Sequence, residues 1–241
     1  GLGVIVFLLM ILPDSSPAKL RLTHLELSSL SKEGYRYKTS TITRVMFSVY
    51  IGLTIVETLL LWAAGMSLFD AVNHAFSTVA TGGFSTKNTS VMYFDSTSID
   101  IIITVFMALS AMHFGVIFAI VASRSFKPLK HSVTKYYLGI IAVCSIIIAF
   151  SLKTQGGYES WGGALLDSTF QTVSYLTTTG FGQADNAMWP LLANTILIFA
   201  AMHCGCAGST TGGIKADRMF IALKAIHGDF LKRLHPSSLF R

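Results

Sequence analysis

Apolar residues fall into runs of two lengths along this chain. The long runs cover residues 43–64, 98–122, 136–152 and 188–204, and the short runs cover residues 68–80 and 164–176. A helix needs about 20 mainly apolar residues to cross the hydrocarbon core of a bilayer. The long runs therefore predict membrane-spanning helices, whereas the short runs are typical of re-entrant segments that do not cross.

The composition of the chain supports a membrane protein. Of 241 residues, 52% are hydrophobic and 12% are charged, and the mean hydropathy is +0.60. A soluble globular domain would carry about a quarter charged residues. The sequence therefore excludes an ordinary soluble protein and predicts an all-α integral membrane protein in contact with the lipid bilayer.

Basic residues predict the orientation of the chain. They form three clusters, which are Lys19, Arg21, Lys32, Arg36, Lys38 and Arg44; Arg124, Lys127, Lys130 and Lys135; and Lys215, Arg218, Lys224, Lys232 and Arg233. The segments 65–100 and 153–190 contain only Lys87 and Lys153. Because cytoplasmic segments are enriched in lysine and arginine, the clusters are predicted to be cytoplasmic and both short runs to face outside. This arrangement accounts for the net charge of +6 without a nucleic-acid partner.

The chain repeats itself. Residues 68–84 (LFDAVNHAFSTVATGGF) align without a gap on residues 165–181 (LLDSTFQTVSYLTTTGF), and AMHFG (111–115) matches AMHCG (201–205). Each unit is a span, a short re-entrant run, a Gly-Phe turn and a second span. We interpret 43–122 as one pore-loop repeat and 136–235 as another with a broken last helix, joined by cytoplasmic linkers at 14–42 and 123–135. Residues 1–13 show no signal-peptide pattern and are interpreted as the end of a preceding repeat.

A Thr-X-Gly-aromatic turn follows each short run, TGGFS at 81–85 and TTGFG at 178–182. Glycine allows the backbone to turn successive carbonyl oxygens toward one axis, and rings of such oxygens replace the hydration shell of a monovalent cation. We expect the short helices to begin at Asp70 and Asp167 as N-caps, and to direct the negative end of their dipoles at the turns. The alternative is a pair of ordinary outer turns, which two copies in register make less attractive.

A glycine-rich segment, HCGCAGSTTGGIK (203–215), interrupts the last apolar run. Each glycine costs a helix about 1 kcal/mol, so the segment predicts a broken helix. It does not fit a phosphate-binding loop, because Gly213 is followed by Ile214, Lys215 and Ala216 in a membrane context. A passive kink and a movable constriction both remain open. The matching stretch GVIFAIVAS (115–123) is predicted to continue an unbroken span, which favours a role specific to the second repeat.

Isolated polar residues carry weaker signals. We expect Glu57, within the first complete span, to make a structural hydrogen bond in the protein interior. For the repeated His113 and His203 we favour packing over a metal pair, since no ligand set accompanies both. The three cysteines are too few for a disulfide framework or a four-ligand zinc site and are expected to be buried. No catalytic constellation is present, so we predict that the protein is not an enzyme.

Three motifs together identify a family. TVATGGFST (78–86), TTTGFG (177–182) and CGCAGSTTGGIK (204–215) resemble the TrkH/KtrB/HKT superfamily of potassium transporters, in particular the bacterial TrkH-type subunit. The resemblance implies tandem helix–pore-loop–helix repeats around a pseudo-fourfold pore when complete, with these repeats as the second and third. It implies that filter backbone comes from Thr81, Gly82, Gly83, Thr178, Thr179 and Gly180. It also implies a gating loop formed by Gly205, Gly208, Ser209, Thr210, Thr211, Gly212 and Gly213.

The same resemblance implies a function and partners. It predicts uptake of K⁺ as the transported ion, with no cofactor bound by this chain, in a multi-pass protein of the bacterial inner (plasma) membrane. The implied partners are a cytosolic nucleotide-binding regulatory subunit of the TrkA or KtrA type and a second copy in a homodimer. A non-conducting scaffold or partner-binding subunit and an ion-coupled carrier are the alternatives. The preference for K⁺ over Na⁺ is open, because these residues contain only part of a filter.

Overall fold

The computed structural model describes residues 39–155 and 157–234, and only the backbone at 39–43, 227 and 231–234. The predicted tail 1–13 and most of the linker 14–42 lie outside these residues. The α-helices are α1 (Thr39–Ala63), α2 (Leu68–Val79), α3 (Thr97–Ser110), α4 (Phe114–Ser123), α5 (Ser132–Gln155), α6 (Trp161–Leu176), α7 (Leu191–Met202) and α8 (Ala216–Leu234). Short 3₁₀ helices lie at Ser90–Phe94, Lys127–Lys130 and Asn186–Met188.

Serines, not aspartates, begin the two short helices. Ser67 caps α2 by accepting a hydrogen bond from the Asp70 amide at 3.1 Å and donating its hydroxyl to the Asp70 carboxylate at 2.8 Å. Asp70 is thus bonded to the capping serine through both its amide and its carboxylate. Ser160 caps α6, whose first residue Trp161 precedes Asp167 by more than a turn. The prediction that Asp70 and Asp167 are N-caps is wrong, because in each case an earlier serine accepts the free amide.

Two of the described helices are long and apolar enough to cross a membrane. They cover Arg44–Ala63, within α1, and Ser132–Gln155, which is α5. A third span exists if α3 and α4 count as one, but these two helices are bent by 104° at their junction. The prediction of an unbroken span over 98–122 is therefore wrong, and so is the asymmetry between the repeats that it implied.

The junction between α3 and α4, which we call the break (111–113), is paired by distant backbone. The Cys206 amide donates to the Ala111 carbonyl at 2.8 Å, and the Phe114 amide donates to the Gly208 carbonyl at 3.2 Å. Nδ1 of His113 accepts from the Gly115 amide at 2.9 Å and so caps α4. Backbone groups freed inside a bilayer need protein partners, and the glycine-rich segment supplies them here. Both repeats are therefore interrupted after the same Ala-Met motif.

Apolar side chains join the two repeats. One buried cluster combines residues of α1, α2, α3 and α6 with residues of the α1–α2 connection, of the first 3₁₀ helix and of the second Thr-X-Gly turn: Leu61, Met66, Ala71, Val91, Ile99, Ile103, Met107, Phe170, Val173 and Phe181. Cys144, Cys204 and Cys206 are buried and free, as expected. Large apolar side chains elsewhere on the long helices, such as Ile55 and Ile146, are more than half exposed. Such surfaces suit contact with lipid.

Candidate ion pathway

The two Thr-X-Gly turns, at 81–84 and 178–181, have the same backbone conformation. Thr81 and Thr178 have φ of 52° and 56°, and Gly83 and Gly180 have φ of 68° and 86°. The residue between the threonine and the glycine of each turn does not have positive φ, so left-handed and other backbone conformations alternate along each turn. A β-branched residue with positive φ costs about 1–3 kcal/mol and persists only where surrounding structure enforces it. Strained threonines at equivalent positions of both repeats therefore point to a functional constraint.

A serine of each short helix holds the aromatic residue of its turn. The Phe84 amide donates to Ser77 Oγ at 2.6 Å, and Ser174 Oγ donates to the Phe181 carbonyl at 2.7 Å. These serines align with each other in the sequence repeat, as do the two phenylalanines. The internal repeat is therefore also a repeat of the contacts that fix the turns.

An aspartate of each short helix holds the chain just beyond its turn. Thr86 Oγ1 donates to Asp70 Oδ1 at 2.6 Å, and Gln183 Nε2 donates to Asp167 Oδ1 at 3.0 Å. Both pairs are 16 residues apart, so they occupy equivalent positions. The same amide of Gln183 also donates to Asp100 Oδ2 at 3.1 Å, which ties α6 to α3. The aspartates thus brace the turns, a role that the N-cap prediction missed.

Asp70 is stabilised as a carboxylate. The hydrogen bond from Thr86 lowers the pKa of Asp70 most, and it outweighs the opposing effect of burial. The Ser67 hydroxyl and the Lys87 ammonium, 3.4 Å from Asp70 Oδ2, lower the pKa further. The brace of the first turn therefore stays charged over the neutral pH range.

His74 lies between the two turns. Because a carbonyl can only accept, Nδ1 donates to the Asp70 carbonyl at 2.8 Å, which leaves Nε2 to accept from Ser85 Oγ at 2.9 Å. The ring stacks on Phe181 of the other repeat, with centroids 5.8 Å apart. Burial lowers the pKa of His74, in agreement with this neutral tautomer. Sequence reasoning missed His74, because the repeat places Gln171 at the equivalent position and no shared motif marks it.

The turns of the two repeats meet directly. A Cβ added to Gly83 would lie 2.0 Å from the Thr179 carbonyl oxygen, so only glycine fits there. Beyond the second turn, Gly182 donates to Ser90 Oγ at 3.2 Å and accepts from the Met92 amide at 3.2 Å. The outer 3₁₀ helix of the first repeat therefore supports the turn of the second.

The glycine-rich loop, by which we mean residues 203–215, contacts both turns. Thr81 Oγ1 donates to the Thr210 carbonyl at 3.0 Å, and the Gly212 amide donates to Thr178 Oγ1 at 2.9 Å. Lys215 Nζ donates to the carbonyl of Thr211 at the end of the loop. The loop therefore contacts both turns and also supplies hydrogen-bond partners for the backbone at the break.

The structure brings all the predicted site residues into one region. The buried members are Thr179, Gly205, Gly208, Ser209, Thr210 and Thr211. The partly buried members are Thr81, Gly82, Gly83 and Thr178, and the exposed members are Gly180, Gly212 and Gly213. Thr210 and Gly212 of the loop thus lie against turn residues that are 129 and 34 positions away in the sequence.

The structure places Glu57 and the two repeated histidines in different surroundings. Glu57 is fully buried on α1 next to the Thr78 hydroxyl, which itself donates to the His74 carbonyl at 2.8 Å. The interior location is confirmed, and the expected structural hydrogen bond, for which Thr78 is the candidate partner, stays a prediction. His113 caps a helix, and His203 Nδ1 donates to the Phe199 carbonyl at 3.1 Å. No group of three or more potential metal ligands occurs within 39–155 and 157–234.

Comparison with known proteins decides the family. A family model described as "TrkH: Cation transport protein" matches residues 1–148 and again residues 140–241. The chain belongs to the TrkH family. The resemblance carried by the three sequence motifs is thus confirmed.

Relatives and a solved structure extend this result. The chain is 34% identical to the Trk system potassium uptake protein TrkH of Salmonella typhimurium, covering 100% of this chain and 50% of that protein. It is 31% identical to the Trk system potassium uptake protein TrkG of Escherichia coli, covering 99% and 50%. The crystal structure of the potassium transporter TrkH from Vibrio parahaemolyticus superimposes with a TM-score of 0.82 at 32% identity, covering 99% of this chain and 48% of that one.

The chain spans about half the length of the curated relatives it matches. The likeness to a solved TrkH structure confirms the predicted all-α membrane fold. The family is one of cation transport proteins.

Proposed function

We propose that this chain contributes two pore-loop repeats, 43–122 and 136–235, to a potassium uptake pore. The observation that carries the proposal is the pair of turns with the same alternating backbone, the same serine and aspartate braces and a direct contact between them. The names of the relatives, potassium uptake proteins, agree with it. Thr81, Gly82 and Gly83, with Thr178, Thr179 and Gly180, would form half of the selectivity filter.

The chemistry of such a site is electrostatic. Backbone carbonyls of the two turns replace part of the hydration shell of K⁺, and the carboxyl ends of α2 and α6 add partial negative charge nearby. The serine and aspartate braces hold the carbonyls at fixed separation. Transport needs no covalent step and no bound cofactor, in keeping with a protein that is not an enzyme.

The glycine-rich loop serves in this proposal as the gate. We assign the gate to Gly205, Gly208, Ser209, Thr210, Thr211, Gly212 and Gly213, of which Thr210 and Gly212 are hydrogen-bonded to the turns. Small residues and irregular backbone are tolerated in a membrane where they line a watery path. The contacts with both turns favour a movable constriction over a passive kink, because a kink alone would need no bond to Thr81 or Thr178.

We propose the membrane, the oligomeric state and the regulatory partner of the pore by analogy with the family. We place the protein in the bacterial inner (plasma) membrane as a multi-pass homodimer. A cytosolic nucleotide-binding subunit of the TrkA or KtrA type would act on it from the cytoplasmic side. Lys215 and the basic residues of α8, such as Arg218, would lie on that side by the positive-inside rule.

Ion flux into liposomes tests the proposal. The natural protein that carries this chain is reconstituted, and K⁺, Rb⁺ and Na⁺ uptake are compared in the wild type, Gly83→Ala and Gly162→Ala. Gly162 has open space around its Cβ position and lies at the start of α6, so it is the matched control.

We expect K⁺ and Rb⁺ uptake well above Na⁺ uptake in the wild type and the control, and a loss of at least tenfold or of selectivity in Gly83→Ala. Unselective uptake, or an unaffected Gly83→Ala variant, would refute the filter assignment. Absence of uptake in every variant would favour the scaffold. Uptake that saturates and requires a second ion would favour the carrier.

A further inference from the structure

The glycine-rich loop is attached at two places of different character. Its first half is hydrogen-bonded to the break and to the residues on either side of the break, Ser110 and Phe114. We call residues 110–114 the seat. The second half of the loop pairs with the hydroxyls of Thr81 and Thr178, which we call the latch. The difference between these attachments determines which part of the loop can move.

The seat consists mainly of backbone hydrogen bonds. The Ser110 carbonyl accepts from the Thr210 amide at 3.3 Å and from Thr210 Oγ1 at 3.0 Å. The bonds from Cys206 to Ala111 and from Phe114 to Gly208 complete it. These groups are the unpaired ends of two helices, and inside a membrane they have no alternative partner in protein. Releasing the seat would expose several backbone groups at once.

The latch consists of two bonds, each involving a side-chain hydroxyl. Thr81 Oγ1 lies 3.0 Å from the Thr210 carbonyl and also 2.7 Å from its own neighbour, the Ala80 carbonyl. If the loop leaves, the Thr81 hydroxyl still has an acceptor. Gly212, which donates to Thr178 Oγ1, is exposed, so water can replace that bond. Release of the latch therefore leaves the Thr81 and Thr178 hydroxyls and the Gly212 amide with other partners, and the Thr210 carbonyl is the one group of the latch that loses its donor.

We propose that Thr81 and Thr178 are positioning residues of the gate, whose hydroxyls hold residues 210–213 closed against the turns. Opening breaks the two latch bonds and the two bonds from Thr210 to the Ser110 carbonyl, while the bonds at Ala111 and Phe114 keep residues 204–209 in place. The moving part is then a flap, not the whole loop. This inference rests on the proposed function, since it assigns the mechanism of the same gate.

Valine and serine substitutions separate the latch from simple packing. Thr81→Val and Thr178→Val keep the β-branched shape and its backbone strain but remove the hydroxyl, whereas Thr81→Ser and Thr178→Ser keep the hydroxyl. Hydrogen exchange of peptides covering 207–215 is measured in the natural protein in nanodiscs, with peptides of α5 as the internal reference. Resting K⁺ flux without any regulatory partner is measured in parallel.

Each valine substitution alone should raise exchange at 207–215 and resting K⁺ flux by about 2- to 12-fold, the range expected for one hydrogen bond. The double valine variant should approach the product, and the serine variants should restore wild-type exchange. Wild-type exchange at 207–215 in both valine variants would overturn the latch.

Failure of the proposed function would be detected by the flux measurement, whereas failure of the latch would be detected by hydrogen exchange. If the proposed function fails, the wild-type protein shows no selective K⁺ flux, whereas the exchange measurement still reports whether the hydroxyls hold the loop. Equal increases of exchange in α5 and in 207–215 would indicate general loosening and would also overturn the latch. The two hypotheses therefore fail by different observations.

Discussion

Gly205→Ala is the sharpest test of the contact between the loop and the break. A Cβ at this position would lie 2.6 Å from the Ala111 carbonyl oxygen and 2.8 Å from both Ala111 Cβ and Thr211 Cγ2. Ala111 is buried and its carbonyl already accepts from Cys206, so the backbone must shift to make room. The substitution thus forces apart the two interrupted helices.

The cost can be estimated from two effects. Overpacking of a buried site costs about 1–3 kcal/mol. Loss of the bond from Cys206 to Ala111, and of the bond from the Ala216 amide to the Gly205 carbonyl at 2.9 Å, adds about 1 kcal/mol each. Gly205→Ala should therefore destabilise the protein by about 3–5 kcal/mol.

Thermal unfolding of the detergent-solubilised natural protein measures this effect. Gly212→Ala is the matched control, because its nearest neighbour, Thr178 Oγ1, would lie 3.6 Å from the new Cβ, an ordinary contact. Gly205→Ala should unfold several degrees below the wild type, and Gly212→Ala within about a degree of it. Equal midpoints for the two variants would refute the close packing of the loop on the break.

Two further predictions concern buried polar groups. Glu57→Leu should raise the free energy of unfolding by about 1–3 kcal/mol, because the neighbouring Thr78 hydroxyl donates to the His74 carbonyl and not to this carboxyl; a lower thermal midpoint would show that Glu57 has a hydrogen-bond partner in the natural protein. Since burial lowers the pKa of His74 below 6.5, the unfolded chain binds a proton before the folded one, so stability should fall as pH drops below about 6.5. His74→Gln should remove this part of the pH dependence, measured as denaturant midpoints between pH 7.5 and 5; an unchanged slope would contradict the assignment.

The sequence repeat predicted much of the site. Aligning the two units without a gap paired Ser77 with Ser174 and Thr81 with Thr178; the structure shows each serine bonded to the phenylalanine of its own turn, and both threonines with positive φ. The glycine-rich loop was also predicted as an interruption of the last span. These features depend on local composition, on helix-breaking residues and on a period that a single sequence contains.

What the sequence did not predict depends on distant partners. The break at 111–113 follows an ordinary apolar run and contains no glycine or proline, so propensity alone favours a continuous helix. Its free backbone groups are paired by Cys206 and Gly208, far along the chain. His74 was missed for a similar reason, since its importance comes from stacking on Phe181 of the other repeat.

The mutual pairing of break and loop has an evolutionary consequence. Each interruption is tolerable in a membrane only while the other supplies its hydrogen-bond partners, so neither can be gained or lost alone without a large penalty. A descendant that straightened its loop would be under selection to straighten α3 and α4 as well. Tandem copies that began as equivalent modules would become obligate partners, and a duplicated ancestor could no longer exchange one repeat for the other.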